Sequence, residues 1–260
     1  MENYHEIRIT KIASTITSLL GIESHGDAAE PIDQVLAAAK EKFGAEGCDR
    51  VFMYNPDAIA AWVYHKNITE FAGMDIDLTL PMLSMVPSET VVCFSSMYTG
   101  MLPAQHGIVK HVSVKPVLTV DTVFDDLIRA GKKPAIVSTT GDTISKVFLN
   151  RQMDYFIYDT IAECNAKALE LIEEDKYDLI VLYNGNFDAT MHGFGGDSQE
   201  ALQALRENVA TFGEMQAAIR KHWNGHRTAL AFAPDHGCTD RGHGSDLPSD
   251  MNIMHLYSFI

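Results

Sequence analysis

Apolar positions along this chain fall into two rhythms. Short continuous runs alternate with longer stretches in which apolar residues recur every three or four positions. The runs read as buried strands: Arg50-Val51-Phe52-Met53-Tyr54, Lys133-Pro134-Ala135-Ile136-Val137-Ser138, Tyr177-Asp178-Leu179-Ile180-Val181-Leu182-Tyr183, and residues 227–233. The tail from Met254 to Ile260 reads as a last strand. The periodic stretches predict helices over 8–20, 31–43, 90–98, 121–130, 160–174 and 198–222. In the last of these, Leu202, Leu205, Val209, Phe212, Met215 and Ile219 share one face.

Punctuation agrees with these boundaries. Pro31 suits a first helical turn, and Gly44 and Gly47 end that helix. Asn55-Pro56-Asp57 breaks the first strand, leaving a short helical or irregular stretch to about residue 75. Gly100 and Pro103 terminate the helix that starts at Thr90, and Thr160-x-x-Glu163 is a capping box.

Strands alternating with helices imply an α/β fold: a three-layer αβα sandwich on a mostly parallel sheet. Strands that are apolar throughout fit burial on both faces. The 260 residues are read as one domain, with residues 1–47 as a helical segment packed on the core or pairing with another subunit of a homo-oligomer.

In such sheets the site lies beyond the carboxyl ends of the strands. Asp57, Asp188 and Asp235 each follow a predicted strand. Carboxylates gathered on one rim repel one another unless cations hold them. Asp235-His236-Gly237, with His243 seven residues after His236, combines carboxylate and imidazole at a strand tip. Asp188 and His192 stand four apart, which on a helical turn places both on one face. The pair alone equals an ordinary i,i+4 ion pair; the whole set points to metal. Mixed Asp and His donors suit Zn²⁺, or Mn²⁺ and related ions, better than Ca²⁺.

Thr90 stands at a helix start, where exposed amides and the helix dipole favour an anion. By itself it is an ordinary cap; beside metals it is a candidate nucleophile. Asn184 and Asn186 flank Gly185 and are candidates to hydrogen-bond substrate or to serve the turn. His106 and Met82, Met85, Met97 and Met101 read as packing.

The ordered set resembles the alkaline phosphatase superfamily, nearest to its type I phosphodiesterase/nucleotide pyrophosphatase branch. The matching parts are Asp57 after the first strand, Thr90 followed by Thr99-Gly-x-x-Pro-x-x-His106-Gly-Ile, Asp188-x-x-x-His192, and Asp235-His236-Gly237 with His243. They span about residues 50–245. The resemblance implies that Asp57, Asp235 and His236 hold one divalent ion beside Thr90, and that Asp188, His192 and His243 hold a second. It implies attack by Thr90 on phosphorus and a covalent phospho-threonine, with a small phosphate ester as substrate: a diester or nucleotide first, a monoester or phosphonate second.

Some positions depart from that branch. Where the diesterases commonly carry an asparagine that binds a phosphate oxygen, this chain has His111. The close spacing of His243 behind Asp235-His236-Gly237 looks like the mutase branches, whose large cap domain this chain has no room for. The implied architecture is an alkaline-phosphatase-like core without such a cap. Cys93-Phe94-Ser95-Ser96-Met97 lacks the sulfatase context.

Charge and composition narrow the partners. The net charge is −15, which argues against nucleic-acid binding and would repel an anionic substrate unless bound cations reversed the local field. No run approaches the ~18 apolar residues of a membrane span, and the first twenty residues, with Glu2, His5, Glu6, Arg8 and Lys11, are no signal peptide. Cys48, Cys93, Cys164 and Cys238 have no paired spacing and read as reduced thiols of a cytoplasmic protein. Cys238, next to the Asp-His-Gly segment, is either a small filler or a neighbour of the site. A metal-binding protein without turnover is the rival to an enzyme.

Overall fold

The computed structural model describes residues 3–44, 47–111 and 116–260. A single eight-stranded sheet runs through it, in the order β1-β3-β8-β7-β2-β6-β4-β5. The strands are β1 (Ile7–Arg8), β2 (Arg50–Pro56), β3 (Leu78–Leu83), β4 (Pro134–Thr139), β5 (Asp154–Tyr158), β6 (Leu179–Asn184), β7 (Thr228–Phe232) and β8 (Asn252–Phe259). All pairings are parallel except the two made by β8, with β3 and β7. The mostly parallel sheet inferred from strand and helix alternation is therefore observed.

Strand alternation sorts the core into two halves. On one face Val51, Met53, Val181, Tyr183, Ala229 and Ala231 pack under helices α1 (Ile12–Leu19) and α2 (Asp33–Phe43). On the other, Phe52, Tyr54, Ile180, Leu182, Leu230 and Phe232 meet α3 (Ala61–Lys66). The first face also takes α4 (Thr90–Thr99), α5 (Pro103–His106) and α6 (Val123–Arg129), with α7 (Ile144–Val147). The second takes α8 (Ile161–Glu174), α9 (Asn186–Phe194) and α10 (Gln199–His222). A last turn, α11 (Pro248–Met251), leads into β8. The result is the three-layer αβα sandwich expected. From Phe232 to Asn252 the described chain holds only α11 and loops, so no cap domain is inserted there.

The expected boundaries shift where specific contacts decide. The helix expected from residue 8 begins later, because Ile7 and Arg8 pair with Met82 and Leu83 as β1, and a 3₁₀ turn over Ile9–Lys11 follows. Pro31 falls before Ile32, the residue that caps α2, not in its first turn. β2 continues through Asn55 and Pro56, because Pro56 needs no amide donor at a strand end and the Asp57 amide extends the ladder to the Asn184 carbonyl at 3.0 Å. The Thr160–Glu163 capping box forms, with Thr160 Oγ1 accepting from the Glu163 amide at 3.2 Å.

β3 and β5 have no counterpart in the sequence reading. β3 contains Pro81, which demotes a run to an edge. It is tolerated because β1 pairs only with Met82 and Leu83, leaving the Pro81 side of the strand open. β5 is an edge strand whose residues are only partly buried, so it lacks an apolar signature.

Candidate metal centre

β7, β2 and β6 are neighbours at the middle of the sheet, and each delivers one carboxylate past its carboxyl end. These are Asp235, Asp57 and Asp188, the last in the first turn of α9 with His192 one turn further. Two neighbouring clusters result: Asp57, Asp235 and His236, all buried, and the more open Asp188, His192 and His243. They abut through His236 and His243, whose rings lie 4.2 Å apart between centroids.

Local backbone features fix these positions. Ala58 adopts φ 63° and turns its amide toward Asp235 Oδ1 at 3.4 Å. Gly237 follows His236 because its Cα is pressed against another segment: a Cβ there would lie 2.3 Å from the Ser249 carbonyl oxygen and 2.9 Å from Ala60 Cβ. Only glycine lets the Asp-His pair seat at that depth.

All three histidines are oriented in the same way. Nδ1 of His236 lies 2.9 Å from the Gly237 carbonyl oxygen, that of His243 lies 2.8 Å from the Ser88 oxygen, and that of His192 lies 3.0 Å from the Arg241 oxygen. A carbonyl accepts only, so each Nδ1 carries a proton and each ring, when neutral, turns its Nε2 lone pair inward. There His236 Nε2 meets Asp57 Oδ1 at 3.3 Å and Asp235 Oδ2 at 3.5 Å. His192 and His243 Nε2 each lie 3.3 Å from Asp188 Oδ1, and 3.2 Å from one another.

Asp57 Oδ1, Asp188 Oδ1 and Asp235 Oδ2 are all buried without a hydrogen-bond partner. Lone pairs facing lone pairs at these distances are repulsive unless a cation stands among them. The donor set thus fits two divalent ions, one per cluster, through imidazole nitrogen and carboxylate oxygen.

Titration reflects the same crowding. Burial, then the charge of Asp188, pushes Asp57 up to about 7. Burial and Asp57 hold Asp235 well above the usual carboxylate range. Burial, then His243, lowers His236 to about 3, so its ring is neutral. Burial also works against a proton on His243, yet contact with Asp188 outweighs it and raises the group to about 9. Asp188 is correspondingly lowered: burial opposes its charge, and the contact with His243 overcomes that.

Thr90 is the first residue of α4 and lies against the buried cluster. Its Oγ1 is 3.3 Å from Asp57 Oδ2 and 3.2 Å from His236 Nε2. The structure therefore brings together Thr90 and all six Asp and His residues grouped on sequence grounds.

The three candidate substrate contacts lie differently. Asn184 turns to the face opposite α4, where its amide donates to Tyr54 Oη at 2.9 Å and Asn165 Oδ1 at 3.0 Å. Asn186 accepts from Asn208 at 2.9 Å and donates to Glu207 at 3.3 Å. Both belong to a polar network between the sheet, α8 and α10, and neither joins the clusters. The physical reason is strand alternation: Tyr183 takes the site-facing position at the end of β6, so Asn184 faces away. His111 is exposed, and its amide donates to the carboxylate of Glu89, the residue before Thr90.

His106 packs, as read, with Nε2 2.9 Å from Ser96 Oγ and its pKa lowered to about 4 by burial. Cys238 is buried and its thiol is pushed up to about 12, first by burial; it fills the space beside Gly196.

Sequence reading missed Ser88 and Tyr183. Ser88 holds His243 through its carbonyl and bonds Ser245 and Gly244 through its hydroxyl, at 2.8 Å and 3.0 Å. Tyr183 donates to Asp57 Oδ2. The alternation of β6 carried a signal for Tyr183, since it shares a face with Leu179 and Val181.

The model of the type I phosphodiesterase/nucleotide pyrophosphatase family matches residues 54–140, a segment that contains Asp57, Thr90 and His111. No curated protein matches the chain in sequence. Among solved structures, human ectonucleotide pyrophosphatase/phosphodiesterase 5 (ENPP5) is similar at 17% identity and a TM-score of 0.56, over 72% of this chain and 57% of that one. An inactive threonine-to-alanine variant of murine ENPP5, in complex with AMP, is similar at 16% identity and a TM-score of 0.53, over 73% and 57%. Phosphonoacetate hydrolase from Sinorhizobium meliloti 1021, in complex with phosphonoformate, is similar at 16% and 0.51, over 74% and 57%. At these identities the likeness is one of fold, and this chain spans under two thirds of those chains. The resemblance to the alkaline phosphatase superfamily drawn from the motifs is borne out by the family model and the shared fold.

Proposed function

We propose that this chain is one metal-dependent domain that hydrolyses small phosphate esters, diesters or nucleotides first, through a covalent phospho-threonine. The observation that carries the reading is the position of Thr90 Oγ1, 3.3 Å from Asp57 and 3.2 Å from His236 at the start of α4. One ion would be held by Asp57, Asp235 and His236 beside Thr90, and the other by Asp188, His192 and His243. Zn²⁺ suits these donors best and Mn²⁺ next. When bound, the ions supply positive charge for the phosphoryl oxygens and lower the pKa of a hydroxyl or water.

Residues of the chain do the rest. Asp57 Oδ2 accepts the Thr90 hydroxyl hydrogen and fixes the rotamer of the nucleophile. The N-terminus of α4 favours an anion at that place. Oγ1 then gives up its proton and forms a bond to phosphorus as the phosphorus–oxygen bond to the leaving alcohol breaks, and a proton balancing the one lost ends on that alcohol. Water then attacks phosphorus, the bond to Oγ1 breaks, one proton of the water restores the Thr90 hydroxyl and the phosphate product leaves. His111, whose amide bonds the carboxylate of Glu89, would serve a phosphate oxygen. A cytoplasmic site of action fits four buried, unpaired thiols.

The likeness to phosphonoacetate hydrolase favours a phosphonate as the second substrate class. The test is turnover of bis-p-nitrophenyl phosphate, p-nitrophenyl phosphate and a phosphonate ester with added Zn²⁺ or Mn²⁺. Hydrolysis of the diester above the others supports the reading. Metal uptake without hydrolysis of any of them would favour a non-catalytic metal-binding protein.

A further inference from the structure

We infer that Tyr183 is a positioning residue of this site: its hydroxyl holds Asp57 through Oδ2 and so leaves Oδ1 as the metal-facing oxygen. The inference rests on the proposed function and deepens it. Tyr183 lies near the end of β6 and is only 4% exposed. Its hydroxyl donates to Asp57 Oδ2, the oxygen that also accepts from Thr90 Oγ1 at 3.3 Å. The other oxygen, Oδ1, is buried, makes no hydrogen bond and faces His236 Nε2 at 3.3 Å. The carboxylate is thus divided, with hydroxyls on one side and the ligand nitrogen on the other.

The ring of Tyr183 is fixed in turn. Phe94 of α4 meets it edge-on, with centroids 5.5 Å apart and planes at 80°. Gly185 leaves room for its tip: a Cβ there would stand 2.9 Å from the Tyr183 hydroxyl and 3.4 Å from two ring carbons. The role becomes sharpest during attack. Once Thr90 Oγ1 engages phosphorus, its hydrogen bond to Oδ2 is gone, and Tyr183 is the donor that keeps the carboxylate from rotating. Outer partners of metal ligands act in this way on affinity and rate.

The experiment uses the full chain loaded with Zn²⁺ and three variants: Tyr183→Phe, Gly185→Ala and the double variant. Steady-state hydrolysis of bis-p-nitrophenyl phosphate, zinc affinity of the buried cluster by chelator competition, and Tm are measured. Tyr183→Phe should lower kcat roughly 10–100-fold with KM within about threefold, and weaken that zinc site roughly 10–100-fold. Gly185→Ala should act in the same direction by displacing the hydroxyl. The double variant should be no worse than Tyr183→Phe, because without the hydroxyl the new methyl meets only ring carbons at 3.4 Å, the edge of ordinary van der Waals contact.

Values of kcat and zinc affinity within about twofold of wild type in Tyr183→Phe, or losses that multiply in the double variant, would overturn the inference. If Tyr183→Phe does not fold, Gly185→Ala is read alone by the same two measurements. A wild-type chain that neither binds zinc nor hydrolyses any ester would defeat the proposed function instead. An active, metal-loaded wild type beside an unaffected variant defeats only the role of Tyr183.

Discussion

His243 presents Nε2 to Asp188 Oδ1 at 3.3 Å while its Nδ1 is tied to the Ser88 carbonyl at 2.8 Å. With both nitrogens engaged, the metal-free ring keeps a proton up to about pH 9. An incoming ion must displace it. The raised pKa means that the proton is bound at pH 7.5, so metal entry should release about one proton from this cluster. The buried cluster adds to it, since burial and Asp57 hold Asp235 well above the carboxylate range. Calorimetric titration of the metal-free chain with Zn²⁺ in Pipes and in Tris should give heats that differ by the buffers' ionisation enthalpies. Apparent affinity should weaken as pH falls below about 9. Equal heats in both buffers would refute the protonated resting state.

Thr90→Ala should separate binding from chemistry. The six Asp and His donors remain, so both ions should still bind. The covalent intermediate should vanish and the rate should fall by at least ~10³-fold, as for the loss of a nucleophile in a concerted unit. Stopped assays with intact-mass detection of the phosphorylated chain check this. Near-normal turnover would show that another group attacks phosphorus.

The central strands and the order of the site were legible because they combine two loud signals. Continuous apolar runs mark β2, β6 and β7, and hard-to-bury carboxylates follow each of them. Two outlying strands were not legible: β3 carries Pro81 and the edge strand β5 is half exposed, so neither shows the pattern of a buried strand. Asn184 lies away from the clusters for a related reason. Its place beside the site is evident from sequence, but its facing depends on the register of β6, which puts Tyr183 toward Asp57 instead. The division of the ligands into two clusters came from the family resemblance and not from spacing, and the structure shows the same two groups. His236 and His243 are seven residues apart, yet each faces a different cluster.

Asp188→Ala removes the carboxylate that both His192 and His243 approach at 3.3 Å. Without it the more open cluster keeps two imidazoles and no anion, whereas Asp57, Asp235 and His236 are untouched. Metal content by elemental analysis should fall from about two ions per chain to about one. An unchanged content would refute the assignment of Asp188. The same change frees His243 of its main partner, so its proton should be lost at lower pH, which ring NMR of the metal-free variant can follow.

A second histidine, far from the clusters in sequence, should control stability rather than chemistry. His25 lies between Asp126 Oδ2 at 2.8 Å through Nδ1 and the Thr99 carbonyl at 2.8 Å through Nε2. Both partners accept, so the ring must donate from both nitrogens and is held as a cation that ties the segment before α2 to α4 and α6. Burial opposes the charge, but the bond and charge of Asp126 outweigh it and raise the pKa above its ordinary 6.5. A folded pKa above the unfolded one means that the folded state binds the proton more tightly. The stabilisation is therefore complete below about pH 6.5 and is lost as pH rises through the higher folded value. His25→Gln should cost about 1.5–3 kcal/mol at pH 6, the range for hydrogen bonds to charged groups. The gap in urea midpoints between wild type and variant should narrow as pH rises above 6.5. A gap that stays constant or widens with pH would show that His25 is neutral in the folded chain.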